Sequence, residues 1–500
     1  MRTSLEGSRF DVLVIGGGIT GAGVARDAAM RGLEVALVEK NDFASGTSSR
    51  SSRLVHGGIR YLEYAQVGMV RESVRERETL LRIAPHLVHR LEFTWPVYRK
   101  ARISRTRLRV ALAVYNVLAG KVSFPHIESR VALLGHEPLL KSDGLHGGAV
   151  YTDAATDDSR LTLANILAAQ AAGAIVVNHA EAVRPISRDR DQWLVKVHDA
   201  ALKADFEVRA SVIVNATGPW RLNLERRWPQ HRAQRRGSKG VHIALPQAAI
   251  GNHGALTILS HDDGRVMFIL PSGQFTIVGT TDTWTDESPE EVRASTDDIR
   301  YLLRAANAYF PEARVTEGDV VSAWAGIRPL ADSDPDKSPS EFSREHRINR
   351  NGAGMINVSG GKLTTYRAMA EEIVDCVENE LGRKPTKCTT AEVELPGAER
   401  SERVAAMIKS DPTAGVRVVP HLPYTIADLR YAIENEMALT LSDLLMRRTR
   451  IAFETPDHGV GVAATVADAV AAVASWDKYQ KSAQVDAYAD DAMRVFGIEP

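Results

Sequence analysis

Phe10-Asp-Val-Leu-Val-Ile-Gly16-Gly-Gly18-Ile-Thr-Gly21-Ala-Gly-Val-Ala-Arg-Asp-Ala-Ala-Met30-Arg-Gly32-Leu-Glu-Val35-Ala-Leu-Val38-Glu39 reads as strand, tight turn, helix and strand. Val12 to Ile15 is an apolar run of strand length. Gly16, Gly18 and Gly21 hold the G-x-G-x-x-G positions. Gly32 sits where a helix C-terminus wants positive φ, and a second apolar run ends at Glu39. Gly16 permits the turn, Gly18 lets backbone approach a pyrophosphate, and Gly21 lets helix and strand pack closely. The helix N-terminus offers free N–H groups and partial positive charge to phosphate, and Glu39 is placed to accept from ribose hydroxyls. This unit predicts a dinucleotide-binding site. By itself it does not choose between a nicotinamide and a flavin cofactor.

Moving outward, 500 residues predict two to four domains. A hydrophobic content of 44% and a charged content of 25% are those of a globular protein. A net charge of −1 gives no overall bias toward nucleic acid. Two cysteines, Cys376 and Cys388, supply neither a disulfide framework nor a metal cluster, so a reducing cytoplasmic setting and no metal are expected. No targeting signal or run of transmembrane length is evident, which leaves peripheral membrane attachment open.

After Glu39 comes Gly46-Thr47-Ser48-Ser-Arg50-Ser-Ser52-Arg-Leu54-Val-His56-Gly-Gly-Ile-Arg60-Tyr61-Leu-Glu63. It follows the adenosine-side strand, so it can run along the pyrophosphate toward the reactive ring. Paired glycines then present a cation and a phenol. This segment resembles the signature of FAD-dependent glycerol-3-phosphate dehydrogenases, flavoenzymes of the D-amino-acid-oxidase-like, glutathione-reductase-like group. Later segments continue the resemblance: Val212-Ile-Val-Asn-Ala216-Thr-Gly218-Pro-Trp220, Lys239-Gly-Val-His242, Ile277-Val-Gly-Thr-Thr281-Asp, Arg328-Pro-Leu, and Gly360-Gly361-Lys362-Leu363-Thr364-Thr365.

The resemblance implies an α/β fold with an α+β cap: a Rossmann-like FAD-binding domain (1–85, 147–225, 320–385), interleaved with an antiparallel-sheet substrate domain (86–146, 226–319), then a C-terminal all-helical domain (395–500). It implies FAD held by Gly16, Gly18, Gly21, Glu39, Thr47, Ser48, Ser52, Leu54, His56, Val183, Ala216, Gly218, Gly361, Lys362, Leu363 and Thr364. It assigns Arg328 and Lys362 to the reacting end, and Arg60, Tyr61, Thr281 and Arg344 to phosphate and diol binding. His242 is the first candidate base and His56 the second. The implied reaction converts sn-glycerol 3-phosphate to dihydroxyacetone phosphate, with electrons passed to membrane quinone by a peripheral protein on the cytoplasmic face. A homodimer is allowed. An oxidase making peroxide, an amine or D-amino-acid oxidase, and a non-catalytic flavoprotein remain alternatives.

Other segments carry weaker expectations. Residues 67–85 read as a helix whose Arg71, Glu72, Arg75, Glu76, Arg77 and Glu78 lace a solvated face. Residues 102–121, four arginines before an apolar half, read as a core helix, with a membrane-surface helix as the alternative. Asp158 or Ser159 is expected to cap a helix ending at Gly173. The basic stretch 221–241 reads partly as surface, 331–340 as an exposed acidic loop, and 385–400 as a linker.

Overall fold

The computed structural model describes residues 5–500, except 65, 100, 121–125, 190–191, 221–236, 329–345 and 351–353. The basic stretch 221–236, the loop 331–340 and Arg344 therefore lie outside the described residues.

The opening unit folds as β1 (Arg9–Ile15), α1 (Ile19–Met30) and β2 (Val35–Val38). In the first sheet, parallel strands run in the order Met355–Ser359, Ala204–Asn215, β1, β2, Ile175–Val177. Helices α1, Asp158–Ala171 and Tyr366–Glu380 pack together beside it. Both faces of β1 are covered, which is why it reads as an unbroken apolar run rather than alternating. Gln192–Asp199 pairs antiparallel with the start of Ala204–Asn215, and Ala180–Asp189 pairs antiparallel with Gln192–Asp199, extending this sheet.

The second sheet is largely antiparallel and runs Thr283–Thr285, Gly237–Pro246, Phe275–Gly279, Val266–Ser272, Ala255–Leu259, Val88–Tyr98, Leu145–Thr156, Leu54–Val55. Ser322–Arg328 also pairs with Gly237–Pro246. The chain crosses between sheets more often than its sequence suggests. The boundary at 147 falls inside the strand Leu145–Thr156, and Ser322–Arg328, grouped by sequence with the nucleotide domain, joins the second sheet.

From Arg400 onward the described chain is mainly helical, and one apolar core joins Trp324 of the second sheet to Phe453 and Phe496 of this region. Its docking against the nucleotide domain is ionic. Asp42, three residues past Glu39 and fully buried, takes Arg448 through two hydrogen bonds (2.7 and 3.0 Å) and Arg447 through one (2.6 Å).

Several local expectations are corrected. The helix Val67–Ile83 forms, but Glu76 and Arg77 are buried, the first against Arg367 and the second against Asp153. The helix Arg105–Leu118 is not wholly a core helix: Leu108, Leu112 and Tyr115 are buried, whereas Val110, Val114 and Val117 stand on its exposed side. Asp157, rather than Asp158 or Ser159, caps the helix Asp158–Ala171 by accepting from Arg160 N (3.0 Å). Segment 385–400 is pinned to the nucleotide domain: Arg26 donates to Val393 O (2.7 Å), and Leu395 N to Ile83 O (2.7 Å). Among the described residues, no helix is long and apolar enough to cross a membrane.

Candidate active site

A cavity of about 650 Å³ opens between the two sheets. Its nucleotide side is shaped by the glycine turn. Gly16 has φ +108°, and a Cβ there would come within 2.7 Å of Ala216 O. A Cβ on Gly21 would collide with the Gly16 carbonyl, so the turn requires glycine at both positions. Gly18 leaves bare backbone on the cavity wall, at the N-terminus of α1. Gly18 itself offers no capping side chain; instead Ser48 Oγ, from the hydroxyl-rich loop, accepts from Ile19 N (2.9 Å). Glu39 closes this side. Its carboxylate accepts from Gly17 N (2.7 Å) and Asn41 N (2.9 Å), and burial raises its pKa despite those amides. Two oxygens accept up to about four hydrogen bonds, so acceptor capacity remains for a ribose diol.

The hydroxyl-rich loop is ordered by the second sheet. Thr47 donates to Ile327 O (2.7 Å), and Leu54 pairs with Ala155 in a short strand. Further along, His56 N donates to Thr364 Oγ1 (3.1 Å), which ties the loop to the segment Gly361–Thr364. Asp153 holds the following turn by accepting from Gly57 N (3.0 Å), Tyr115 OH (2.6 Å) and Arg77 Nη1 (2.6 Å).

Arg328 and Lys362 both line this cavity. Arg328 donates to Asp282 Oδ1 (3.1 Å), Thr280 Oγ1 (2.9 Å) and Ser238 Oγ (3.3 Å). Gly240 has no side chain because a Cβ there would overlap the Arg328 guanidinium. Lys362 Nζ lies 4.0 Å over the Tyr61 ring. His242 lines the cavity, hydrogen-bonded through Nε2 to Ser52 Oγ (2.8 Å) and stacked on Trp324 at 5.5 Å. Burial, then Arg328 and Arg53, push its pKa down to about 3. Its imidazole is therefore neutral throughout the ordinary range.

The pH dependence follows. Between pH 5 and 8 the charge of His242 does not change, so anaerobic flavin reduction should show no inflection near 6.5 that belongs to it. Wild type and His242→Gln should give profiles of the same shape. An inflection there that disappears in His242→Gln would contradict this assignment.

Most of the residues singled out in the sequence meet at this cavity: Gly16, Gly18, Glu39, Thr47, Ser48, Ser52, Leu54, His56, Tyr61, Ala216, Gly218, His242, Arg328, Gly361, Lys362, Leu363 and Thr364 line it. Gly21 supports it from inside the turn. Val183 lies one residue beyond Ala182, which lines it. Thr281 does not reach it: its buried hydroxyl accepts from Val241 N (2.9 Å), and Thr280 occupies the wall instead. Arg60 falls within the turn Ile59–Tyr64, and Arg344 lies outside the described residues.

Sequence reasoning missed several wall residues. Arg265, Phe268, Tyr151 and Asp153 come from strands or strand ends of the second sheet, and Arg50 stands in the quoted motif. Asp153 had a signal, since it opens the acidic series 153, 157, 158. Arg265, directly after the turn Asp262-Asp263-Gly264, had none.

The donor set suits a bound dinucleotide: bare glycine backbone, a helix N-terminus, a carboxylate beyond it, and cations elsewhere on the same wall. Known proteins agree. A family model described as FAD dependent oxidoreductase matches residues 11–375, and one described as the C-terminal domain of alpha-glycerophosphate oxidase matches residues 397–481. The chain is 35% identical to a glycerol-3-phosphate dehydrogenase of Synechocystis, with 97% of this chain and 96% of that protein covered. It is 35% identical to the aerobic glycerol-3-phosphate dehydrogenase of Bacillus subtilis, covering 90% and 88%. The solved glycerol-3-phosphate dehydrogenase from Bacillus halodurans, complexed with FAD, superposes with a TM-score of 0.78 at 30% identity, covering 98% and 96%. The turn, the cationic wall and these likenesses together place the chain in the FAD-dependent glycerol-3-phosphate dehydrogenase family, within the D-amino-acid-oxidase-like flavoproteins.

Proposed function

We propose that the protein oxidises sn-glycerol 3-phosphate to dihydroxyacetone phosphate and passes the electrons to a membrane quinone. The observation that carries this reading is that Arg328 and Lys362 both line the cavity that also holds the glycine turn. An alcohol bearing a phosphate dianion needs several cations, whereas an amino-acid carboxylate needs fewer. Bound FAD supplies the hydride acceptor. Arg328, steadied by Asp282, stabilises negative charge developing on the C2 oxygen, and Lys362 adds positive charge at the same end. Tyr61 lies beneath Lys362 and orients it. Arg60 and Arg344 are the proposed phosphate ligands. His242 is buried with its Nε2 already engaged by Ser52, so its role is to position Ser52, and His56, which lines the same cavity, is the proposed base.

The exposed Val110, Val114 and Val117 support peripheral membrane contact. They recur at helical spacing, beside exposed Arg105, Arg107 and Arg109, which suits anionic headgroups. Val114→Asp should weaken cosedimentation with anionic vesicles about tenfold without changing flavin content. Unchanged cosedimentation would move the contact elsewhere.

The acceptor is tested by reoxidation. Protein reduced anaerobically by glycerol 3-phosphate is mixed with a short-chain quinone or with oxygenated buffer. Faster reoxidation by quinone, with little peroxide, is expected. Stoichiometric peroxide at a rate matching or exceeding that with quinone would make it an oxidase.

A further inference from the structure

Three segments meet at the nucleotide side of the cavity around one carboxylate. Lys40 directly follows Glu39 at the end of β2. Trp220 ends the short turn Gly218–Trp220 that follows the strand Ala204–Asn215. Glu290 belongs to the second-sheet region, between the strand Thr283–Thr285 and the helix Thr296–Tyr309. All three line the cavity. Lys40 Nζ donates to Glu290 Oε1 (2.6 Å) and lies 4.5 Å over the Trp220 ring. The indole N–H of Trp220 donates to the same carboxylate oxygen. Ser288 Oγ donates to the other, Oε2 (2.6 Å).

The packing beneath is equally specific. A Cβ at Gly46 would come within 2.7 Å of the Trp220 ring, so the indole rests on bare backbone at the start of the hydroxyl-rich loop. Lys40 and Glu290 are 30% and 37% exposed although both line the cavity, which puts them at its rim. Burial alone would raise the Glu290 carboxyl, but Lys40 and Ser288 outweigh it and hold the pKa down at about 2.

A carboxylate at the mouth of a pyrophosphate site is electrostatically unhelpful to binding. Here both of its oxygens are engaged by protein donors and its charge is met by Lys40. It is arranged to join protein to protein across the rim. We infer that Lys40, Trp220 and Glu290 form a clasp that ties the cap to the nucleotide domain and slows escape of the dinucleotide cofactor. The clasp acts on release and takes no part in substrate chemistry, so its test is independent of which substrate is oxidised.

The experiment follows the rise of FAD fluorescence after holoprotein is diluted to nanomolar concentration. Glu290→Gln keeps the shape of the side chain and removes its charge. It should release FAD about three- to fivefold faster than wild type at low ionic strength, the scale of one partly exposed ion pair. Wild-type release should accelerate on adding about 0.5 M salt, and Glu290→Gln should respond less than wild type because the salt-sensitive pair is already gone. Lys40→Gln, which removes the other charge, should reproduce both effects, and Trp220→Phe should give a smaller acceleration. If Glu290→Gln and Lys40→Gln both release FAD at the wild-type rate with the wild-type salt response, the clasp does not exist as a retention device.

Discussion

Replacing Arg328 by alanine should slow anaerobic bleaching of the flavin by glycerol 3-phosphate about 10²- to 10³-fold, the scale seen when one aimed donor is lost from a charge-stabilising site. The flavin should stay bound, because the glycine turn, Ser48 and Glu39 lie elsewhere on the wall. The aim of the guanidinium comes from its setting. Arg328 ends a strand paired with Gly237–Pro246, Gly240 leaves room for its side chain, and Asp282, Thr280 and Ser238 receive its N–H groups. Arg328→Lys keeps a charge beside Asp282 but loses the planar fork, so it should fall between wild type and alanine. Equal rates for all three proteins would remove Arg328 from the reacting end. Loss of flavin in Arg328→Ala, with normal reduction of what remains bound, would place it at the cofactor instead.

The second large effect concerns stability. Asp42→Ala should cost about 3–5 kcal/mol, because it leaves the buried Arg448 and its partly buried neighbour Arg447 without their shared carboxylate. Arg448 is also held by Glu436 O (2.8 Å), and Arg447 by Asp443 (2.8 Å), so neither guanidinium can swing out to water without breaking further bonds. By contrast, Arg430→Ala removes a partly exposed pair with Asp411 and should cost no more than about 1 kcal/mol. Urea denaturation followed by tryptophan fluorescence distinguishes the two. Equal midpoints would show that this contact contributes little to holding the C-terminal region.

The same cluster sets a pH window. Arg448, with Arg447, outweighs burial and lowers the pKa of Asp42, so its contribution is present above the ordinary carboxylate value of 3.8 and fades as pH falls through the lower folded value. His179 contacts Asp443 at 3.0 Å, and that charge outweighs burial and raises its pKa. Its contribution is complete below 6.5 and is lost as pH rises through the raised folded value. Stability at this contact should decline on the alkaline side, and His179→Gln should abolish that decline.

These two sites differ in how far the sequence exposed them. The glycine turn was legible because its requirements are local: φ at Gly16 and the lack of room at Gly21 arise within a few residues. The motif Gly46 to Tyr61 was legible because it is one continuous stretch whose residues share a wall. Asp42 with Arg448 was not, since 406 positions separate them and periodicity reports burial without naming a partner. Arg77 read as solvated for a similar reason; its place in a charged helix says nothing of Asp153 on a distant strand. Thr281 and Thr280 could not be told apart because they follow the strand Phe275–Gly279, past the point where alternation assigns faces. The helix Arg105–Leu118 is apolar on two sides, so composition alone could not say that only Leu108, Leu112 and Tyr115 enter the core.

Direct reduction of the bound flavin by glycerol 3-phosphate is the step on which the proposed function turns. Yellow, purified protein is titrated with glycerol 3-phosphate in the absence of oxygen while the flavin absorbance is recorded. Bleaching with one dihydroxyacetone phosphate formed per flavin is the predicted result. A spectrum unmoved by glycerol 3-phosphate but bleached by glycine or a D-amino acid would contradict it.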